Sequence, residues 1–164
     1  VFLNFGILGA LGAWTVQTGS LSWLPVLWAV PLSLLVVAIL HANNWRDIAG
    51  DRDKRCVTVA NMLGDRGSAA YYTFLLLSPF AAVLLIMGLS RFTDLTAAMP
   101  LTFLVMLLAL PLAANLLAKS RRRANPRDPM EFVTLDGATA QLNMAFGVLC
   151  TAALLIQAAI ERFA

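Results

Sequence analysis

Apolar residues fill long runs of this chain, and the charged ones gather between them. No Asp, Glu, Lys or Arg precedes Arg46, and the stretches 67–90, 95–118 and 137–160 lack all four residue types. Each run is long enough to cross a hydrocarbon layer of about 30 Å at about 1.5 Å per helical residue. The first 45 residues exceed one span, and the turn-forming cluster Gln17-Thr18-Gly19-Ser20 divides them near 1–17 and 22–42. The pattern therefore predicts five membrane-spanning helices. Pro25 and Pro31 in the second, Pro79 in the third and Pro111 in the fourth are expected to kink them. Gly6, Gly9 and Gly12 place small residues along one stripe of the first helix, suited to close helix packing or to a smooth wall for a lipid-like substrate.

Composition sharpens this. Hydrophobic residues make up 60% and charged residues 13% of the 164 residues, against roughly 45–50% and about 25% in soluble proteins. A soluble globule, a disordered chain and a collagen are excluded, and the fold class is all-α: a polytopic transmembrane helix bundle, one domain over residues 1–164. The net charge of +3 sits in two clusters between apolar spans, which argues against nucleic acid as a partner and for a lipid bilayer. Arg46, Arg52, Lys54, Arg55 and Arg66 lie between spans two and three, and Lys119, Arg121, Arg122, Arg123 and Arg127 between spans four and five, whereas only Arg91 and Arg162 lie on the other side. Basic excess marks cytoplasmic loops. The segments 43–68 and 119–138 are thus expected in the cytoplasm, and Val1 with them. Cys56 and Cys150 form neither a disulfide framework nor a zinc motif.

The informative stretch runs from His41 to Arg55. If the second helix continues into it, Asn43, Asp47 and Asp51 stand at i, i+4 and i+8, with Asn44 on the same side. Two carboxylates about 6 Å apart repel by roughly 3 kcal/mol at an effective dielectric of about 20, a cost that a divalent cation removes. Hard oxygen donors suit Mg2+, which commonly takes one or two carboxylates together with waters and phosphate oxygens of a substrate. Arg46, Arg52, Lys54 and Arg55 surround the acids and suit an anionic head group or a departing diphosphate. The same residues also fit a solvated juxtamembrane loop whose acids and bases pair with each other while the bases set topology.

Asn43-Asn44-Trp45-Arg46-Asp47-Ile48-Ala49-Gly50-Asp51, followed by Thr58-Val59-Ala60-Asn61-Met62-Leu63-Gly64, resembles the second aspartate-rich motif of UbiA-type membrane prenyltransferases. The double Asn before Arg-Asp is most similar to the 1,4-dihydroxy-2-naphthoate polyprenyltransferase branch, which serves menaquinone synthesis. Phe5-Gly6 through Val16-Gln17-Thr18-Gly19 and the segment Thr139-Ala140-Gln141-Leu142-Asn143 extend the resemblance along nearly the whole chain. It implies nine helices around a central cavity and two aspartate-rich motifs holding a polyprenyl diphosphate through Mg2+. Only the second motif has a counterpart, so the five spans correspond to helices five to nine, and the N-terminal half of the same enzyme is the expected partner. Where the family carries Gly and Lys before the Thr, this chain has Arg55 and Cys56.

The resemblance implies Asp47 and Asp51 as magnesium-diphosphate ligands, Asp53 as a further acid outside their helical phase, and Asn43 and Asn44 as supporting donors or substrate contacts. Arg46, Lys54 and Arg55 become candidates to hold the diphosphate. The implied reaction transfers a polyprenyl group to an aromatic acceptor, 1,4-dihydroxy-2-naphthoate first, then 4-hydroxybenzoate, homogentisate or a chlorophyllide. The isolated chain is expected to be inactive and to belong in a bacterial or archaeal cytoplasmic membrane. A transporter or assembly subunit is the reading from another class, although its acids would then be expected within spans and not in loops. His41 is expected as an interfacial or supporting residue. Asn4, Asn115, Gln141, Asn143 and Gln157 are expected to bond between helices, Lys119 to Arg123 to anchor on lipid, and Trp14, Trp23, Trp28, Tyr71 and Tyr72 to pack or sit at interfaces.

Overall fold

A computed structural model describes residues 1–93, 97–121 and 134–163. Its described residues contain helices and no strand. A π-helical Phe2–Leu8 leads into α1 (Gly9–Thr18), followed by α2 (Leu24–Arg46), the short α3 (Ile48–Asp53), α4 (Val59–Phe92), a 3-10 segment Leu101–Ala109 continuing into α5 (Leu110–Arg121), and α6 (Leu135–Phe163).

Four of these are long and apolar enough to span a membrane: Leu24–Arg46, Val59–Phe92, Leu101–Arg121 and Leu135–Phe163, with mean hydropathies of 1.8 to 2.3. The expected first span is also helical, but its 7 π-helical and 10 α-helical residues put it at the short limit of about 17 for a crossing. Leucines and phenylalanines at the outer surface, among them Phe74, Leu85, Leu104 and Leu108, are exposed. Water would penalise so large an apolar surface, whereas lipid tails accept it. The protein is an integral membrane helix bundle.

The bundle forms around α2, which packs against α4, α6 and the π-helical segment. Leu35, Ala38, Ala42 and Trp45 of α2 are buried at helical spacing. They meet Tyr72, Leu75, Leu76 and Phe80 of α4 and Leu142 and Phe146 of α6, where the Phe80 and Phe146 rings pack edge-on with centroids 5.2 Å apart. Gly6 is buried because a Cβ there would lie 2.8 Å from Ser33 Cβ, which is the close approach expected of the glycine stripe. Gly9 and Gly12 make no such approach: the nearest atom to a Cβ at Gly9 is Asn4 O at 3.5 Å, and nothing lies within 4 Å of one at Gly12.

The prolines occupy different positions in their helices. Pro25 occupies the first turn of α2, where its missing N–H has no intrahelical partner to lose. Pro31 and Pro79 lie inside α2 and α4 without taking the backbone out of helical geometry, and α4 breaks instead at Gly64 (φ 64°, ψ −174°). Pro111 stands just where the 3-10 segment gives way to α5.

Candidate active site at the end of helix α2

Helix α2 ends at Asp47, whose φ of −94° and ψ of 12° interrupt the regular geometry before α3 resumes at Ile48. The hydrogen-bond ladder nonetheless runs through the corner: Asp47 N donates to Asn43 O at 3.2 Å, and Asp51 N donates to Asp47 O at 2.9 Å. Asn43, Asp47 and Asp51 are therefore stacked one helical turn apart, as the spacing predicts. All three side chains are half-buried, as is that of Asn44.

Termination of α3 sets the bases. Arg55 N donates to Arg52 O at 3.1 Å and Cys56 N to Asp51 O at 2.8 Å, with Arg55 at φ 55°. This is the Schellman arrangement, whose left-handed position favours glycine. This chain puts a strained arginine there. Arg52, Asp53, Lys54 and Arg55 all project into solvent. Beyond them Thr58 caps α4 by accepting from Asn61 N at 3.2 Å, and Asn61 Nδ2 ties back to Cys56 O at 3.0 Å.

Arg46 faces inward, toward acids. Its Nε and Nη2 donate to Asp47 Oδ1 and Oδ2 at 3.0 and 3.2 Å, while Nη1 donates to Asp136 Oδ2 at 2.7 Å. Asn43 completes the cluster in the amide orientation that donates to Asp47 Oδ2 and accepts from Arg46 Nη2, both at 3.3 Å. Most of the guanidinium fork is thereby occupied by the protein's own groups. The side chain of Asp47 stays 46% exposed, against 24% for Arg46 and 20% for Asp136.

The floor under the motif is aromatic and buried. His41 is 3% exposed, its Nε2 is 3.1 Å from Ser68 O, and its ring meets Tyr71 edge-on at 4.8 Å. It is packed inside the bundle beneath the motif. Trp45 Nε1 donates to Asp65 Oδ1 at 2.9 Å, linking α2 to α4, and the Tyr72 and Thr139 hydroxyls are 2.6 Å apart, linking α4 to α6. Asp65 and Asp136 escaped the sequence reading. Asp136 had one visible signal, an acid at the start of a charge-free run; nothing local points Asp65 toward an indole.

Among the described residues no group of three or more His, Cys, Asp or Glu gathers as a metal cage. Asp47 and Asp51 are two hard carboxylates one helical turn apart, each partly exposed, and of the donor type that Mg2+ takes. Asp53 is exposed on α3 outside that stack.

Below this corner an open groove of about 520 Å³ runs between α2 and α6, lined by Leu32, Asn143, Gly147, Thr151 and Leu155 among others. Asn143 Oδ1 is buried with no hydrogen-bond partner among the described residues, and Gln157 bonds Glu161 on its own helix at 2.8 Å; neither makes the interhelical bond expected of it. Lys119 Nζ donates to Thr134 Oγ1, closing α5 toward α6. Of the other bases of the second loop, Arg121 ends α5, and Arg122, Arg123 and Arg127 lie outside the described residues.

Residues 1–135 match the UbiA prenyltransferase family. The human protein named "UbiA prenyltransferase domain-containing protein 1" is 34% identical over 148 residues, which is 90% of this chain and 39% of the human protein. The zebrafish protein of that name is 36% identical over 148 residues, again 90% and 39%, and the Drosophila homolog 35% identical over 149 residues, 91% and 37%. The chain thus spans about two fifths of these relatives' length. These relatives are animal proteins, and their names specify the family and not a 1,4-dihydroxy-2-naphthoate polyprenyltransferase. The chain belongs to the UbiA prenyltransferase family.

Proposed function

We propose that this chain forms the part of a Mg2+-dependent prenyltransferase that grips the diphosphate of a polyprenyl diphosphate, for transfer of the polyprenyl group to an aromatic acceptor. The observation that carries this reading is the stack of Asn43, Asp47 and Asp51 at the end of an apolar helix, in a chain of this family. Asp47 and Asp51 would hold the ion from their exposed sides, with Asn43 and Asn44 as neighbouring donors. Bound there, Mg2+ supplies positive charge against the oxygens of the leaving diphosphate.

The protein's own contribution is placement. Lys54 and Arg55, free in solvent at the corner, would close on the diphosphate from the loop side. Arg46 would act chiefly through Asp47, since its donors point to acids. Charge drawn onto the diphosphate weakens the carbon–oxygen bond, and its electron pair leaves with the diphosphate. An electron-rich ring carbon then bonds to the cation-like prenyl carbon, and the ring regains aromaticity by losing a proton, or CO2 where that carbon bears a carboxylate, the bonding pair staying in the ring. The apolar groove starts at Asn143, about 10 Å along α6 from Asp136 at about 1.5 Å per residue, a placement that suits an isoprenoid tail kept away from water. Among acceptors we place 1,4-dihydroxy-2-naphthoate first, on the Asn-Asn-x-Arg-Asp pattern, and 4-hydroxybenzoate, homogentisate and chlorophyllide after it. The motif loop would face the cytoplasm, on the basic bias of the two loops.

The test is transfer of label from a polyprenyl diphosphate to a panel of ring acceptors, in membranes containing the longer protein that carries these residues. Asp47→Asn and Asp51→Asn should each lower transfer at least a hundredfold, and chelation of Mg2+ should abolish it. Unchanged transfer in both variants would remove the two acids from the site. Label reaching 4-hydroxybenzoate alone would overturn the preferred acceptor but not the chemistry. The 164-residue chain expressed alone should bind the diphosphate weakly and turn nothing over.

A further inference from the structure

The geometry points to Asp136 as a positioning residue for the metal-diphosphate face, acting through Arg46 on Asp47. This rests on the reading of Asp47 and Asp51 given above. Asp136 stands in the first turn of α6, 90 residues away in sequence from the arginine it binds. It is the first residue beyond the stretch that matches the family.

Arg46 has a planar fork, and its two ends are held by different acids. One end grips both oxygens of Asp47; the other is fixed by Asp136 at 2.7 Å, the shorter and more buried of the two ion pairs. Asp136 is itself steadied, because its other oxygen accepts from Gly137 N at 2.8 Å. The wall behind it is tied down one turn later by the buried Tyr72–Thr139 bond. Rotation of Arg46 is thus fixed from α6, and Arg46 in turn fixes which edge of Asp47 faces solvent.

Charge leads to the same conclusion. Arg46 paired with Asp47 alone would form a neutral couple with little pull on a dication. Adding Asp136 makes the triad net negative, so the exposed edge of Asp47 keeps its attraction for a cation. Partners that orient a metal ligand from behind typically change metal affinity by about 10–100-fold when removed.

Mn2+ as the spectroscopic stand-in for Mg2+, with farnesyl diphosphate, provides the test in the longer protein reconstituted in lipid nanodiscs. Loss of the free-ion electron paramagnetic resonance signal reports binding without turnover. Asp136→Asn should weaken diphosphate-dependent Mn2+ binding about tenfold, and should raise the Mg2+ concentration for half-maximal transfer while leaving the rate at saturating Mg2+ within about twofold. In an Arg46→Gln background the same substitution should change Mn2+ affinity less than twofold. Affinity equal to the parent's in Asp136→Asn, or a full tenfold effect persisting in Arg46→Gln, would overturn the assignment. If Asp136→Asn does not fold, Asp136→Glu decides: a weakening of about threefold supports the role, and none refutes it. A parent protein that shows no diphosphate-dependent Mn2+ binding would instead bring down the functional reading itself, and this inference with it.

Discussion

Tyr72 Oη lies 2.6 Å from Thr139 Oγ1 in a position closed to solvent. Thr139 already gives its single hydroxyl proton to Leu135 O at 2.7 Å, so Tyr72 must be the donor in the pair. The direction of this bond makes its two partners unequal. Tyr72→Phe removes a donor and leaves Thr139 satisfied; interhelical bonds in lipid average about 0.6 kcal/mol, and a loss near that size is expected. Thr139→Val leaves the tyrosine hydroxyl buried without its acceptor and should cost about 1–3 kcal/mol. Unfolding of the two variants in bicelles measures the difference, and equal losses would show the donor assignment to be wrong.

Gly64 carries the break in α4. At φ 64° and ψ −174° it occupies a region essentially reserved for glycine, and no atom lies within 4 Å of where a Cβ would be. Gly64→Ala should therefore destabilise by about 1–3 kcal/mol through the backbone alone. Gly88→Ala is the matched control: it sits in the same helix with equal room and no positive φ, and it should gain up to about 1 kcal/mol. The contrast is read from paired unfolding midpoints.

Arg55 holds the left-handed position of the Schellman turn. Arg55→Gly relieves that strain and should stabilise the loop by about 1 kcal/mol. If the guanidinium contributes to diphosphate binding, the same variant should raise the KM for polyprenyl diphosphate several-fold. A gain in stability with no change in KM would assign Arg55 to topology alone.

Gly6 packs where a methyl group would collide with Ser33. Gly6→Ala should push the π-helical segment off α2 at a cost of about 1–3 kcal/mol. Ser33→Gly should recover most of it in the double variant, because it removes the colliding Oγ and Cβ together. Crosslinking yield between cysteines placed on the two helices follows the displacement directly.

The candidate site was legible in part. Asn43, Asp47 and Asp51 lie on one helical ladder, so their juxtaposition follows from spacing, and the structure keeps it even through the break at Asp47. For Arg46 the local pattern leaves two uses open, an external anion or pairing with acids; its fork is turned onto two acids, one of them 90 positions along the chain. Trp45 stands inside the motif with no local mark of its partner; only the arrival of α4 gives it Asp65. The break in α4 was not legible for a related reason. Pro25 falls in a first turn, and the bend in α4 went to Gly64, whose need for a positive φ is a backbone property that the hydropathy pattern does not encode.

What the chain determines by itself is whatever depends on neighbours within a turn or two: the apolar runs, and hence burial in lipid; the charged corners; and the i, i+4, i+8 stack of oxygen donors. Short-range geometry repeats every 3.6 residues whatever the rest of the molecule does. The pairings Arg46–Asp136, Trp45–Asp65 and Tyr72–Thr139 required α2, α4 and α6 to meet at one end of the bundle. Those meetings are decided by packing of whole helix faces, Phe80 against Phe146 and Leu35 against its neighbours, which places polar groups together without any mark of the partner in the local sequence.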